Sequence, residues 1–189
     1  GIPSPTEMYQ SQYGFWIEAD DVVIRGVSMV GFYDLQAPLS AAIVVNYGAQ
    51  YSIIEHNHLG VYPSGWVLGN YNAVYLRNSR HTVRNNVISG NWYGIHSRSI
   101  QSVIQGNFIG TDISGATTDP SYMNHKGIFL DCVSGSSIIG GTNPDEMNIV
   151  SGNTIGISIF TDDNIIIGNR IGTDISGTID LGNDIGIGI

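Results

Sequence analysis

A tyrosine, a histidine and two arginines recur at one spacing in the middle of the chain and could act together on an acidic sugar. They are Tyr75, Arg77, His96 and Arg98, and the second pair follows the first by 21 residues. A planar guanidinium pairs with a carboxylate, and a histidine or tyrosine can accept a proton as a general base. On adjacent strands these residues predict one activity, a polysaccharide lyase in which arginine neutralises a uronate and His96 or Tyr75 removes a proton.

Several of the equivalent positions in other segments of the chain are aromatic or charged, which is typical of a sugar-binding groove. Aromatic faces stack on sugars, and an arginine beside them can hold an acidic sugar. We therefore predict an exposed groove for a polysaccharide or a cell-surface glycan. Its predicted residues are Trp16, Tyr75, Arg77, His96, Arg98, Phe129 and Asp131. The alternative is that long loops cover the rings and that the charged residues have no joint role.

Paired carboxylates, which a glycoside hydrolase needs within roughly 5–9.5 Å, are not expected on this face. Glu18 and Asp131 occupy equivalent positions four repeats apart, about 19 Å at the spacing of neighbouring strands. The leading prediction is therefore non-catalytic and assigns no catalytic residue.

The sequence offers only weak candidates for a metal site. Asp112 and Asp174 lie in two copies of Gly-Thr-Asp-Ile-Ser-Gly, where each could ligate calcium together with loop carbonyls. An aspartate in such a loop more often accepts hydrogen bonds from its own backbone. His56 and His58 resemble a zinc pair only by their spacing, so no metal or other cofactor is assigned. Cys132 is the single cysteine and is predicted to be structural.

The elements that position these residues are repeats. Residues 86–115 and 148–177 align without a gap, and 16 of their 30 positions are identical. Along the chain, short apolar tetrads of the form small–apolar–x–apolar are each followed by two further β-branched segments, with no helical periodicity. Three short strands in every 21–33 residues describe a coil that buries its apolar face only by stacking on the next coil. The chain is predicted to be all-β, a β-solenoid with about six such rungs and the start of a seventh.

One asparagine recurs at the turn between the second and third strands in five of the six rungs. In stacked coils these side chains would lie about 4.8 Å apart and hydrogen-bond to one another. The alternative is that asparagine is merely common in turns. The predicted asparagine ladder consists of Asn57, Asn86, Asn107, Asn148 and Asn169.

The three strands per rung, the ladder and the unequal loops resemble the right-handed parallel β-helix of the pectate-lyase-like superfamily. The blocks IIGGT, NIVSGN, IIIGNRIGTDISGT and GNDIGIGI are similar to a narrower group, the asparagine- and glycine-rich repeat proteins of bacterial secreted or cell-surface type. This closer resemblance covers residues 85–189. It implies a right-handed parallel β-helix, and enzymes of the superfamily place their substrate along the sheet formed by the first strand of each rung. Fold alone does not imply function.

The composition and net charge of the chain limit the kinds of partner that it is expected to bind. Seven Lys plus Arg face sixteen Asp plus Glu, a net charge of -9, so nucleic-acid binding is not expected. No apolar run reaches membrane-spanning length, so membrane insertion is not expected. Low lysine content with many asparagines and glycines is typical of an extracellular or cell-surface protein.

The chain is predicted to form one β-helical domain, residues 14–189, preceded by an N-terminal cap or lead-in over residues 1–13. The sequence stops within a repeat, which predicts either covalent continuation beyond residue 189 or end-to-end self-association. The leading hypothesis is an extracellular structural or adhesive segment of a stalk, filament or surface protein, with affinity for carbohydrate. The polysaccharide lyase is the alternative.

Overall fold

The computed structural model of the chain describes residues 12–37, 39–131 and 135–189. These residues form three parallel sheets, A, B and C, of seven, six and six strands. Each rung contributes one strand to each sheet, and consecutive rungs are neighbours in every sheet. The protein is therefore a parallel β-solenoid of six rungs and the first strand of a seventh, which confirms the predicted fold class.

The strands are short, and all but two have two to five residues. Sheet A contains β1 (Tyr13–Ile17), β4 (Ala41–Val45), β7 (Asn72–Ser79), β10 (Tyr93–Ile100), β13 (Lys126–Leu130), β16 (Ile155–Ile159) and β19 (Ile185–Gly188). Sheet B contains β2 (Val23–Arg25), β5 (Ile53–Glu55), β8 (Thr82–Arg84), β11 (Val103–Gln105), β14 (Ile138–Gly140) and β17 (Ile165–Ile167). Sheet C contains β3 (Ser28–Met29), β6 (His58–Leu59), β9 (Val87–Ile88), β12 (Phe108–Ile109), β15 (Ile149–Val150) and β18 (Arg170–Ile171).

Helical structure in the described ranges is limited to two 3-10 turns, Pro120–Tyr122 and Pro144–Glu146. Each has three residues, and neither is long or apolar enough to cross a membrane.

The core lies between the three sheets and is built from rows of branched apolar side chains. In sheet B, for example, Ile54, Val83, Ile104 and Ile139 occupy one register and are fully buried. Valine and isoleucine suit an extended backbone, and burial of each such side chain contributes roughly 1.5–3 kcal/mol. Apolar residues of sheets A and C belong to the same cluster, so each inner rung packs on the rungs on both sides.

The predicted asparagine ladder is confirmed. From Asn57 to Asn169, each side-chain amide donates to the side-chain oxygen of the next asparagine at 2.8–3.0 Å. That oxygen also accepts the backbone N–H of the preceding asparagine. The first four members are buried. The ladder therefore satisfies backbone groups at the turn, where sheet pairing is interrupted.

A second asparagine ladder, which the sequence analysis missed, lies at the turn that leads into sheet A. Its side-chain amides donate to the next side-chain oxygen at 2.8–3.1 Å. Its members are Asn70, Asn91, Asn124, Asn153 and Asn183. A signal for it was present, because each member stands three residues before the small residue that opens an apolar tetrad.

From the second rung onward, the loops after the third strand alternate in length. Rungs two, four and six carry long loops at residues 60–70, 110–124 and 172–183, whereas residues 89–91 and 151–153 form short turns. The Tyr122 hydroxyl in one long loop donates to the Gly65 carbonyl in another at 3.2 Å. The long loops therefore border the edge of sheet A at which its strands begin.

Three sequence predictions are not addressed by these contacts. Residues 1–11, which make up most of the predicted N-terminal lead-in, and Cys132 lie outside the described residues. Continuation of the chain or end-to-end association stays a prediction.

Candidate functional site

The outer face of sheet A carries the row that the sequence predicts to bind sugar. The strand register places Trp16, Val44, Tyr75, His96, Phe129 and Ser158 side by side. The alignment agrees with the prediction, but the exposure differs. Trp16 is 43% exposed, whereas Tyr75 is 1% and Ser158 is 4% exposed. The aromatic stripe is therefore not continuously exposed.

Packing against neighbouring rungs buries Tyr75. It forms a small cluster with Ala41 and Val44, separate from the main core. The guanidinium of Arg77 lies 4.9 Å from the centroid of the Tyr75 ring, and the centroid of the His96 ring lies 4.7 Å from it. These contacts leave little of the Tyr75 ring open to a sugar.

His96 lies at the centre of the outer face, between aromatic rings and polar side chains. Its ring centroid is 4.8 Å from that of Phe129 and 5.1 Å from that of Tyr93. Its Nε2 lies 3.4 Å from Asp131 Oδ2, and its Nδ1 lies 3.2 Å from Asn72 Oδ1. Burial lowers the pKa of His96 to about 4, although the Asp131 carboxylate acts in the opposite direction. The imidazole is therefore neutral near pH 7.

A polar row runs beside the aromatic row, two residues further along each strand. Asn46 Nδ2 donates to Glu18 Oε1, and Arg77 Nη1 donates to Asn46 Oδ1, both at 2.9 Å. Arg98 Nε lies 3.3 Å from Asp131 Oδ2. A ligand carboxylate would therefore compete with existing partners for both arginines. Glu18 and Asp131 follow strands that are four steps apart in sheet A, as predicted, and cannot act as a pair.

The four residues of the predicted lyase site do come together. Tyr75 lies opposite His96, and Arg77 lies opposite Arg98, in the register of β7 and β10. The Tyr75 side chain hydrogen-bonds to Arg98, which raises the pKa of the guanidinium. The patch thus combines a neutral imidazole with two guanidinium groups. Its use in catalysis stays a prediction.

A second aromatic row, which the sequence analysis missed, lies at the edge of sheet A where its strands begin. We call the rings of Tyr33, Tyr71, Trp92 and His125 the aromatic edge. Successive ring centroids are 5.8, 6.3 and 4.5 Å apart, and the Tyr71 and Trp92 rings are within 12° of parallel. Tyr33 is 40% and Trp92 is 38% exposed. The last three rings each follow a member of the second asparagine ladder, so a search for that ladder would have found them.

The calcium candidates Asp112 and Asp174 make equivalent contacts in two similar loops. Oδ1 of Asp112 accepts two backbone N–H groups of its own loop at 3.0 and 3.2 Å, and Oδ1 of Asp174 accepts two at 3.0 Å. Each carboxylate also accepts a serine hydroxyl from its loop. The hydroxyl of Ser176 and the backbone donors hold the pKa of Asp174 well below its usual range. These contacts match the loop interpretation that the sequence analysis set against calcium. Calcium binding itself stays untested.

Within residues 12–37, 39–131 and 135–189, no three His, Cys, Asp or Glu side chains are grouped so as to hold a metal ion. His56 is exposed in a turn with a φ of 54°, whereas His58 belongs to β6. Comparison of the chain with protein-family models, with curated proteins and with solved structures finds no match.

Proposed function

We propose that this chain is a structural segment of an extracellular or cell-surface protein, a rigid β-solenoid that binds a glycan without modifying it. Two asparagine ladders support the structural part, because buried side-chain hydrogen bonds join the rungs in addition to sheet pairing. The parallel coil also agrees with the resemblance to the pectate-lyase-like superfamily and to bacterial repeat proteins of the secreted type. We propose membership of that superfamily, with the right-handed coil that it implies.

The aromatic edge is the observation that carries the glycan-binding part. Its rings recur along the solenoid axis at the spacing of the rungs and are half-exposed, so they offer a rigid apolar surface to a chain molecule. The adjacent face of sheet A holds Arg77, Arg98 and Lys126, three of the seven basic residues in a chain of net charge -9. Against them stand Glu18 and Asp131, the latter paired with Arg98, so this face keeps a small excess of positive charge in an acidic chain, which favours an acidic glycan such as a uronate polymer.

Binding of a uronate polymer to two tryptophan variants tests the proposal. Trp92→Ala removes a central ring of the aromatic edge, whereas Trp66→Ala removes a ring that is 76% exposed in the 60–70 loop. We expect Trp92→Ala to weaken binding in affinity electrophoresis about two- to tenfold, the value of one aromatic contact, and Trp66→Ala to leave it unchanged. Equal weakening in both variants, or no binding by the wild type, would contradict the proposal. A neutral polymer of the same length tests the contribution of charge.

A polysaccharide lyase is the second candidate, and the neutral His96 beside two arginines is the observation that favours it. A neutral imidazole can accept a proton, and Arg77 and Arg98 could neutralise a uronate carboxylate. The absorbance of the unsaturated product tests this activity separately from binding. Product formed by the wild type but not by His96→Ala would replace the non-catalytic proposal, and no product from the wild type would remove the lyase.

A further inference from the structure

A series of ring contacts connects the aromatic edge to the outer face of sheet A. The Tyr71 ring, which belongs to the aromatic edge, lies edge-on to that of Tyr93, with ring centroids 5.7 Å apart. Tyr93 stacks on Phe129 at 5.5 Å, and Phe129 contacts Phe160 at 5.9 Å. We call Tyr93, Phe129 and Phe160 the ring path. Phe160 is 65% exposed, and the other two rings are half-buried. The ring path therefore extends the apolar surface of the aromatic edge onto sheet A.

Lys126 is the only lysine in the chain, and its amine lies against the ring path. Its Nζ is 3.8 Å from the ring centroid of Phe129, 5.5 Å from that of Phe160 and 6.0 Å from that of Tyr93. Burial lowers the pKa of Lys126, with the Asp131 carboxylate acting in the opposite direction. The ring faces also favour the ammonium form, so the contacts that hold the amine in place stabilise its positive charge.

The arginines of this face differ from Lys126 in their partners. Arg98 Nε lies 3.3 Å from Asp131 Oδ2, and Arg77 Nη1 donates to Asn46 Oδ1 at 2.9 Å. No carboxylate of the described residues lies within ion-pair distance of Lys126 Nζ. A ligand anion would have to compete with Asp131 for Arg98 and with Asn46 for Arg77, but it meets no such competitor at Lys126. The excess positive charge of the face is therefore most available at Lys126.

We propose that Lys126 is the residue by which the glycan site selects an anionic sugar, and that this sugar carries either a carboxylate or a sulfate ester. A lysine ammonium is a compact point charge, whereas the planar fork of an arginine matches a carboxylate through two hydrogen bonds. Selection by Lys126 therefore depends on the negative charge of the sugar and not on the planar shape of a carboxylate. The inference rests on the proposed function and deepens it, because it assigns the selection to one residue and adds sulfated glycans to uronate polymers.

Affinity electrophoresis of the full chain tests the proposal with three polymers of the same length. They are a uronate polymer, a sulfated polymer of equal charge density and a neutral polymer. Lys126→Gln removes the charge under study, and Arg80→Gln is the matched control, because it removes one positive charge at an exposed position just after β7. We expect Lys126→Gln to weaken binding to both anionic polymers about two- to fivefold, the value of one partly exposed ion pair. Binding to the neutral polymer should not change, and Arg80→Gln should change none of the three.

The possible results distinguish this inference from the proposed function. Absence of binding to every polymer by the wild type would overturn both. Binding that Lys126→Gln leaves unchanged, or weakens equally for the neutral polymer, would overturn the inference alone, because the lysine charge would then select nothing. Equal weakening in Arg80→Gln would also overturn it, because net charge would then be sufficient. A wild type that binds the uronate polymer but not the sulfated one would overturn selection by a point charge. Lys126→Met keeps the apolar contacts with the rings and provides the same comparison if glutamine lowers the urea midpoint.

Discussion

Replacement of Asn107 by alanine tests whether the first asparagine ladder holds the rungs together. Asn107 lies in the middle of the ladder and is fully buried. Its Oδ1 accepts the backbone N–H and the side-chain amide of Asn86, each at 3.0 Å. Its Nδ2 donates to the carbonyl oxygens of Val83 and Gln105 and to Oδ1 of Asn148, each at 2.9 Å. One substitution therefore removes five hydrogen bonds.

The size of the expected loss in stability follows from the groups that lose their hydrogen-bond partners. Oδ1 of Asn148 keeps the backbone N–H of Asn107, and the side-chain amide of Asn86 keeps two carbonyl acceptors. The backbone N–H of Asn86 loses its ladder acceptor, and a buried donor left unsatisfied costs about 1–3 kcal/mol. We expect Asn107→Ala to lower the free energy of unfolding by about 3 kcal/mol, the upper end, because Asn107 is fully buried. Asn169→Ala should cost about 1 kcal/mol, because Asn169 is partly exposed and water can replace its bonds.

Urea denaturation followed by circular dichroism measures both effects. The midpoints should fall in the order wild type, Asn169→Ala, Asn107→Ala. Because rungs interact mainly with their nearest neighbours, hydrogen exchange of the amides in β8 and β11 should locate the loss in Asn107→Ala. Equal midpoints for the wild type and Asn107→Ala would refute the ladder as a source of stability. Equal losses in the two variants would refute the argument from burial.

Two further predictions concern the stability of the chain at acidic pH and the replacement of two glycines by alanine. Because the pKa of His96 is about 4 in the folded chain and roughly 6.5 when unfolded, the unfolded state binds more protons between these values. Stability should therefore fall by about 2 kcal/mol from pH 7 to about pH 5, and less in His96→Gln; equal urea-midpoint shifts would contradict this. We expect Gly26→Ala to lower the free energy of unfolding by about 1 kcal/mol and Gly110→Ala to lower it several times more. Both glycines have positive φ, but a Cβ at Gly110 collides with the Ser151 carbonyl oxygen, whereas Gly26 faces open space; similar urea midpoints would show that the backbone conformation alone sets the cost.

The fold could be predicted from the sequence because its determinants recur at a constant position in every rung. Inward residues such as Ile104 and Ile139, and ladder residues such as Asn107, make the same contacts with the rung above and the rung below. Each repeat in the sequence therefore corresponds to a repeated unit of the structure. The second ladder escaped notice because its asparagines stand just before a strand, where asparagine is also an ordinary turn residue.

The site was less predictable, because exposure depends on residues that are distant in sequence. The register of Tyr75 followed from strand alternation, but its burial depends on Ala41, Val44 and His96 in other rungs. The outward position of Tyr93 was also missed. The rings of Tyr93 and His96 lie 5.1 Å apart on one face although the residues are three apart in sequence, and the strand pairing skips residue 94. Strict alternation from His96 would have placed Tyr93 inside.

Comparison of the two copies of the repeat shows which residues the solenoid needs and which surface residues occur in the first copy alone. Residues 86–115 and 148–177 share the asparagines of both ladders and inward isoleucines such as Ile95 and Ile104, which correspond to Ile157 and Ile166. On sheet A and its edge, the first copy has Trp92, Tyr93, His96 and Arg98 where the second has Thr154, Ile155, Ser158 and Phe160. Both copies form complete rungs in the same register, so the coil does not need the aromatic and basic side chains of the first copy. Trp92→Thr, which copies the second repeat, should therefore keep the free energy of unfolding within about 1 kcal/mol of wild type while weakening glycan binding. Loss of folding in this variant would show that the aromatic edge is part of the scaffold, and unchanged binding in a folded variant would remove it from the glycan site.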